Sequence, residues 1–298
     1  MIKYLKTDPW KIIEDSFHSH LQRSSESIFS IGNGKFGQRA NHEEDFSGPS
    51  LQGSYIAGVY YPDKTRVGWW KNGYPEYFAK VLNSANWIGL SIHVNDEMLD
   101  LNTWKVESFE RVLDMKQGLL QRSFIATSPY GKRIQVVAER FCSMANDDLA
   151  ALRYEIKALD ENILLSVNSF IEAEVRNHDS NYEELFWKSV KSQAHENVGT
   201  VQAETLKTGF QVAWAMEVHD NKNSIWSATH NAHRVESTTK TQIQKGESVV
   251  FHKYVSIVSS LNEQAESLSQ VASNKAKQAA VIGYEELRTA HVQAWDKI

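Results

Sequence analysis

The feature that most constrains the fold is a succession of alternating apolar and polar segments, each about ten residues long, that begins at Trp87 and runs to residue 258. Ile88, Leu90, Ile92 and Val94 alternate with Gly89, Ser91 and His93 before Asn95-Asp96 turns the chain into residues 98–101. Residues 104–115 alternate again. Leu119–Thr127 and Arg133–Cys142 flank Ser128-Pro129-Tyr130-Gly131-Lys132, which has the composition of a hairpin loop. Further strands are expected at Leu149–Ala158, 163–175, 210–218 and 249–258, with weaker ones near Ile225 and Val235. Parallel strands need a crossover, usually a helix, and no helical period separates these segments. The expected fold is therefore mainly β, a large antiparallel β-sandwich.

The two ends of the chain read differently. The opening residues form a short lead-in, and residues 26–31 alternate loosely before Gly32-Asn33-Gly34, the composition of a tight hairpin turn. Nine of the 15 glycines lie between Gly32 and Gly89, so unusual backbone geometry is expected there. Residues 41–86 are rich in Gly, aromatics and charge without a sustained period, and connections of that length are usually functional or pack on a partner. After Leu261 the composition turns to Ala, Gln, Lys and Ser, with Leu261, Ala265, Leu268, Val271 and Ala272 on one helical face. Gly283 breaks this helix, and Tyr284, Leu287, His291, Trp295 and Ile298 form the stripe of a second. No stop signal precedes Ile298, so the chain is expected to be cut from a longer protein, and the apolar helix face, its neighbour missing, is expected to pack on the sandwich, on a second copy, or to stay exposed. The division expected is a sandwich domain over 1–262 and a helical linker over 263–298.

Composition excludes several classes of function. A net charge of −5 argues against a nucleic-acid binder, whose footprint is basic. No apolar run reaches the roughly 18 residues of a spanning helix, and charges interrupt the first residues where a signal peptide would be apolar. A cytoplasmic location is expected. The single cysteine, Cys142, makes no internal disulfide or thiolate cage and reads as a small strand residue. His18-x-His20 and His230-x-x-His233 are the close histidine pairs, and neither is completed by a known ligand pattern, so no metal is expected.

Two constellations bear on function. Adjacent carboxylates occur at Glu43-Glu44-Asp45, Asp147-Asp148, Glu183-Glu184 and Glu285-Glu286. Glycoside chemistry needs an acid of raised pKa beside a second group, but adjacent acids are commonest as solvated faces or ion-pair partners. Only Glu43-Glu44-Asp45 has an aromatic, Gly-rich setting, and ion-pair duty is the first expectation there. The densest signal is Trp69-Trp70-Lys71-Asn72 with Tyr74, between Gly68 and Gly73. Flat apolar faces beside polar hydroxyl partners grip sugars, and the same residues also plug domain interfaces. Adjacent residues of an extended segment point to opposite sides, so one Trp is expected to anchor on the sandwich while the other projects.

Several segments together resemble glycoside hydrolase family 65, the inverting disaccharide phosphorylases. ESIFSIGNGKFGQRANHEED (26–45) resembles the family's opening signature, with Lys35-Phe36 where the family usually has Tyr-Leu and Ala40 where it has Gly. GSYIAGVY (53–60), WWKNGYP (69–75) and NWIGLSIHVNDEMLDL (86–101) continue the likeness. GESVVFHKYVSIVSS (246–260) resembles the last sandwich strand and GYEELRTAHVQAW (283–295) the linker helix.

The resemblance implies a galactose-mutarotase-like supersandwich followed by linker helices, with an (α/α)6 catalytic barrel and a small β domain beyond Ile298. It implies that the general-acid Glu and the phosphate pocket lie on that barrel, so no catalytic residue is assigned in this chain. The parent reaction would convert a disaccharide and phosphate to β-glucose 1-phosphate and a free sugar, with no cofactor and with inorganic phosphate as co-substrate. The implied partners are the barrel, a second copy in a homodimer and an oligosaccharide substrate. Trp69, Trp70, Lys71, Asn72, Tyr74, Asn33, Arg39 and Glu43 are the residues expected at a substrate rim or interdomain contact. The alternative is a carbohydrate-binding module or an aldose-epimerase-like enzyme on the same sandwich, which needs a His and a Glu converging on one concave face.

Overall fold

The computed structural model describes residues 4–65, 73, 75–178 and 185–298. Among the described residues the strands form one ten-stranded sheet, one five-stranded sheet and two small sheets. The large sheet runs, edge to edge, Leu5–Thr7, Lys11–Glu14, Lys105–Asp114, Leu119–Thr127 and Arg133–Cys142, then Leu149–Ala158, Ser248–Ser259, Gln211–Asp220, Val198–Thr205 and Trp187–His195. The second runs Ser227–His230, Arg234–Ile243, Ile163–Glu172, Leu90–Val94 and Glu97–Met98. Every pairing is antiparallel.

The period-two pattern places one apolar row of each strand between the sheets. Phe124, Val136, Tyr154, Ile156 and Phe251 of the large sheet meet Leu90, Ile92, Leu165 and Val167 of the smaller. A second core, around Phe29, Trp87, Phe186 and Trp214, continues toward the N-terminal segments. The expected turn at Asn95-Asp96 has both residues left-handed, at φ 49° and 67°, as a two-residue hairpin of matching twist requires. The Gly32-Asn33-Gly34 turn also forms. Ile31–Gly32 pairs with Phe36–Gln38, and Gly34 takes φ 86°.

Two features depart from the sequence expectation, and a third selects among its alternatives. Residues 26–30 are not a strand, because Gln22–Ile28 is a helix, α1, whose buried face is polar: Gln22, Ser25 and Glu26. An apolar period could not reveal it. Trp187–His195 and Val198–Thr205 carry no clear alternation, yet both are strands. The first is the sheet edge, mixes Lys, Ser and Gln on both faces, and is bulged between Ser189 and Lys191.

The third concerns the C-terminal helices, α2 (Leu268–Ile282) and α3 (Tyr284–Trp295). Their apolar faces are already covered, by the outer face of the ten-stranded sheet. Leu268, Ala272 and Ala276 lie on Ala213, Ala215 and Val258, small against small, so the helix axis comes close to the strands. Tyr284 and Leu287 pack with Leu119, Phe141, Leu149 and Tyr254. The Trp295 indole donates to the Met115 carbonyl at 2.8 Å, whereas Ile298 is exposed. No helix among the described residues is long and apolar enough to cross a membrane.

Candidate functional site

Trp69, Trp70, Lys71, Asn72 and Tyr74 lie outside the described residues. The strands that precede and follow them in the chain are described. Tyr60–Lys64 pairs with Tyr77–Val81, from Tyr60 opposite Val81 to Lys64 opposite Tyr77. A lone two-stranded ribbon is marginal in water, so its base must be held. Tyr61 is buried against Phe186, ring centroids 4.6 Å apart, and Lys207 sits 4.6 Å over the Tyr61 ring. Lys80 pairs with Asp63 across the ribbon at 2.9 Å, and Thr208 donates to the Tyr60 carbonyl at 2.8 Å. The other side of the ribbon is apolar and open to solvent. There Tyr60, Tyr77 and Val81 are 42%, 50% and 59% exposed, while Phe78, opposite Asp63, belongs to the Tyr61 face. Beside them runs a groove of about 410 Å³ lined by Phe36, Tyr55, Ile56, Val59, Tyr60 and Val81. Singly exposed apolar residues are ordinary; here Tyr60, Tyr77 and Val81 share one face, and Tyr60 and Val81 also line the groove.

Asn33, Arg39 and Glu43 are placed inside the fold. Asn33 donates to the carbonyls of Ser143 and Asp147, both at 3.0 Å, and its Oδ1 accepts from the amides of Lys35 and Phe36. Arg39 donates to the carbonyls of Leu51 and Arg23. Glu43 belongs to a buried charge cluster that also contains partners the sequence did not single out.

That cluster follows from register. Arg111 stands directly opposite Arg122 in adjacent strands, both inward and buried, and such a like-charge pair is destabilising unless neutralised. Glu14, opposite Arg111 in the next strand, supplies one carboxylate at 3.1 Å. Glu43 and Glu44, from the loop after Phe36–Gln38, supply two more. Arg122 donates to both of them, and Arg140 donates to Glu43 and to the carbonyls of Asn41 and Arg39. The Tyr154 hydroxyl donates to Glu44 at 3.0 Å. His42 Nδ1 lies 2.6 Å from Arg122 Nη1 and must accept, which leaves the proton on Nε2 to bond Gln22 Oε1 at 3.0 Å. Three guanidinium groups thus face three carboxylates across a neutral imidazole.

The electrostatics match that assignment. Burial disfavours the Glu44 carboxylate, yet the charge and hydrogen bonds of Arg122 hold its pKa well below the usual value. Burial likewise opposes ionisation of Glu43, and Arg140 and Arg122 outweigh it. His42 is pushed down to about 4 by burial and then by Arg122. A general acid needs a raised pKa and access to substrate, and Glu43 and Glu44 have neither. Their chemistry is to fasten α1 and the following loop onto the sheet. Cys142 is equally inert, its thiol pushed up to about 12 by burial.

Among the described residues a His and a Glu converge three times, one of them the exposed neighbours His195 and Glu196 at 4.0 Å. His42–Glu44 is sealed in the core, and His219–Glu217 is a 2.6 Å pair two residues apart on one strand. Among the described residues no group of three or more His, Cys, Asp or Glu side chains is arranged to hold a metal ion.

Comparison with known proteins places this architecture. The family description "Glycosyl hydrolase family 65, N-terminal domain" matches residues 12–298. Maltose phosphorylase of Bacillus subtilis (strain 168) is 34% identical over 294 residues, which are 98% of this chain and 39% of that protein. Alpha,alpha-trehalose phosphorylase of Thermoanaerobacter brockii is 28% identical, over 93% of this chain and 38% of that protein. The solved structure of a putative kojibiose phosphorylase from the human microbiome superposes with a TM-score of 0.87 at 25% identity, over 98% of this chain and 38% of that one. The chain therefore spans about two fifths of the length of these relatives. With its two antiparallel sheets, its two C-terminal helices and a match from residue 12 to residue 298, the chain belongs to glycosyl hydrolase family 65, whose N-terminal domain it comprises.

Proposed function

We propose that this chain is the non-catalytic N-terminal part of a cytoplasmic inverting disaccharide phosphorylase, with residues 1–262 as the sandwich and 263–298 as the start of a helical linker. In the parent reaction a glutamic acid on a separate (α/α)6 barrel protonates the glycosidic oxygen. Phosphate oxygen forms a bond to C1 from the opposite face as the C1–O bond breaks, giving β-glucose 1-phosphate and a free sugar. Phosphate is the co-substrate and no cofactor takes part. The part played by this chain is mechanical: it braces the barrel, contributes to a homodimer and lends the hairpin tip with Trp69, Trp70, Lys71, Asn72 and Tyr74 to the rim of the oligosaccharide site. The observation that carries this reading is the alignment of nearly the whole chain with 39% of a maltose phosphorylase. The burial of the signature acids in ion pairs supports it.

The test is to assay the purified chain with maltose, kojibiose, nigerose or trehalose and phosphate. No glucose 1-phosphate is expected, because acid and phosphate positioning are both missing. Its formation by the pure chain would overturn the reading. In the full-length parent, Trp69→Ala and Trp70→Ala should separate: one lowers stability by about 3–5 kcal/mol if its ring is buried, and the other changes KM or kcat at an unchanged Tm. Kinetics unaltered in both variants would remove the tip from the rim.

A further inference from the structure

The helix α3 is the last element in chain order, and one buried histidine ties it to two separate turns of the large sheet. His291 is fully buried, its ring stacked on Phe141 with centroids 4.7 Å apart. Its Nδ1 lies 3.1 Å from the Met144 amide nitrogen, in the loop after Arg133–Cys142. Its Nε2 lies 3.2 Å from the Gly118 carbonyl, in the turn after Lys105–Asp114. An amide N–H only donates and a carbonyl only accepts, so these partners fix the ring: Nδ1 is the bare acceptor and Nε2 carries the single proton. The fit is close. A methyl group on Gly118 would meet the Trp295 ring at 2.8 Å and His291 Nε2 at 3.0 Å. Further polar ties of α3 run from Trp295 to the Met115 carbonyl and from Tyr284 and Arg288 to the Glu139 carboxylate.

A second proton on this ring finds no acceptor. It would set Nδ1–H against the Met144 N–H, two donors 3.1 Å apart, and place a charge on a ring sealed from water. Burial is the largest influence on the ring and holds its pKa below the ordinary 6.5, against the backbone of Gly118 and Gln117, which favours the proton. Of the charged groups that act on it, Arg288 on α3 itself adds to burial and Glu139 on Arg133–Cys142 opposes it. On the two turns, Asp114 accepts from the amides of Lys116 and Gln117, Asp147 and Asp148 pair with Lys35, and Lys275 of α2 also pairs with Asp148. Lys116 is exposed. We propose that His291 is an acid-sensitive latch: once doubly protonated it lets go of Met144, and α3 leaves the sheet while the sandwich stays folded. The sign follows from linkage. The docked pKa lies below the undocked one, so docking is full above pH 6.5 and is lost as the pH falls through the docked value. The latch rests on this chain alone. On the phosphorylase reading α3 leads toward the barrel, and acid then loosens that junction before it melts the sandwich.

The experiment is amide hydrogen exchange of the chain between about pH 7.5 and about pH 5, read as protection factors so that the intrinsic pH dependence of exchange cancels. At about pH 5 a free imidazole is about 97% protonated, which bounds the loss of docking at about thirtyfold. A fall of at least about tenfold is expected in the α3 amides relative to those of Leu119–Thr127. In His291→Gln, whose amide donates to Gly118 without titrating, the fall should be under about twofold. Leu119–Thr127 carries Arg122, so its amides report any loosening of the buried charge cluster and keep the two acid effects apart. Should the variant leave α3 undocked at neutral pH, the ring nitrogens of the isotopically labelled wild-type chain decide: His291 Nδ1 is expected bare wherever α3 is protected. An equal fall in both chains, no fall in the wild type, or a doubly protonated His291 on a protected α3 would overturn the proposal.

Discussion

Arg122 is the residue on which the buried cluster turns, since it alone bonds His42, Glu43 and Glu44. Replacing it by Met leaves Glu44 without its main counter-charge and Glu43 with Arg140 alone, and a cost of about 3–5 kcal/mol is expected in urea unfolding. Proton linkage gives a second expectation. The folded pKa of His42, about 4, lies below its ordinary value of 6.5, so the unfolded state binds the extra proton first. Stability from this group is full above pH 6.5 and is lost as the pH falls toward 4, by about 3 kcal/mol in all. Glu44, with its folded pKa depressed, adds a further loss below the ordinary carboxylate range. Tm measured against pH should fall through that window, and His42→Gln should flatten the slope above pH 4.5; an equal slope in the variant would assign the effect elsewhere. Of this cluster the sequence pointed only to Glu43-Glu44-Asp45 as ion-pair formers. The arginines were hidden because a charged residue on an alternating strand reads as outward, and their acids lie about 80–100 residues away in the chain.

Among the elements, most inner strands were legible, whereas the edge strand Trp187–His195 and its inner neighbour Val198–Thr205 were not. Leu119–Thr127, Arg133–Cys142 and Leu149–Ala158 begin and end where alternation places them, because each buries one face and leaves the other wetter. Trp187–His195 has a neighbour on one side only, and its side chains need not alternate. The break between α2 and α3 was also legible, and its reason is conformational. Gly283 sits at φ 88°, ψ 159°, a region essentially reserved for glycine. A methyl group there would meet no atom within 4 Å, so any cost of Gly283→Ala is backbone strain alone. The expected loss is about 1–3 kcal/mol, with hydrogen exchange accelerating first in α3, whose position on the sheet depends on that turn. An unchanged exchange pattern would mean that the two helices dock independently of the turn.

At the scale of the molecule, the resemblance of the signature segments anticipated the fold, and of the three neighbours expected for the helices the structure selects the sandwich. Leu268 and Ala272 read as part of a stripe without stating what they lie on. The same holds for the hairpin, where Trp69, Trp70 and Tyr74 read equally as sugar platform or interface. Its exposed row predicts association: the chain and the remaining part of the parent, produced separately, should co-purify, and Tyr77→Asp with Val81→Asp should weaken that association at least about tenfold without lowering Tm. Co-purification unaffected by both substitutions would move the contact to another face. The place of Ser248–Ser259 between Leu149–Ala158 and Gln211–Asp220 has a consequence for biosynthesis. Each neighbour offers it a long unpaired edge, and the strand that closes both is translated after them. At ribosomal speeds of about 5–20 residues per second, the edge of Leu149–Ala158 stays open for several seconds on every nascent chain. Such an edge is a template for the wrong strand, so the domain's yield in a cell should be governed by chaperone supply and translation rate more than by the stability of the finished sandwich.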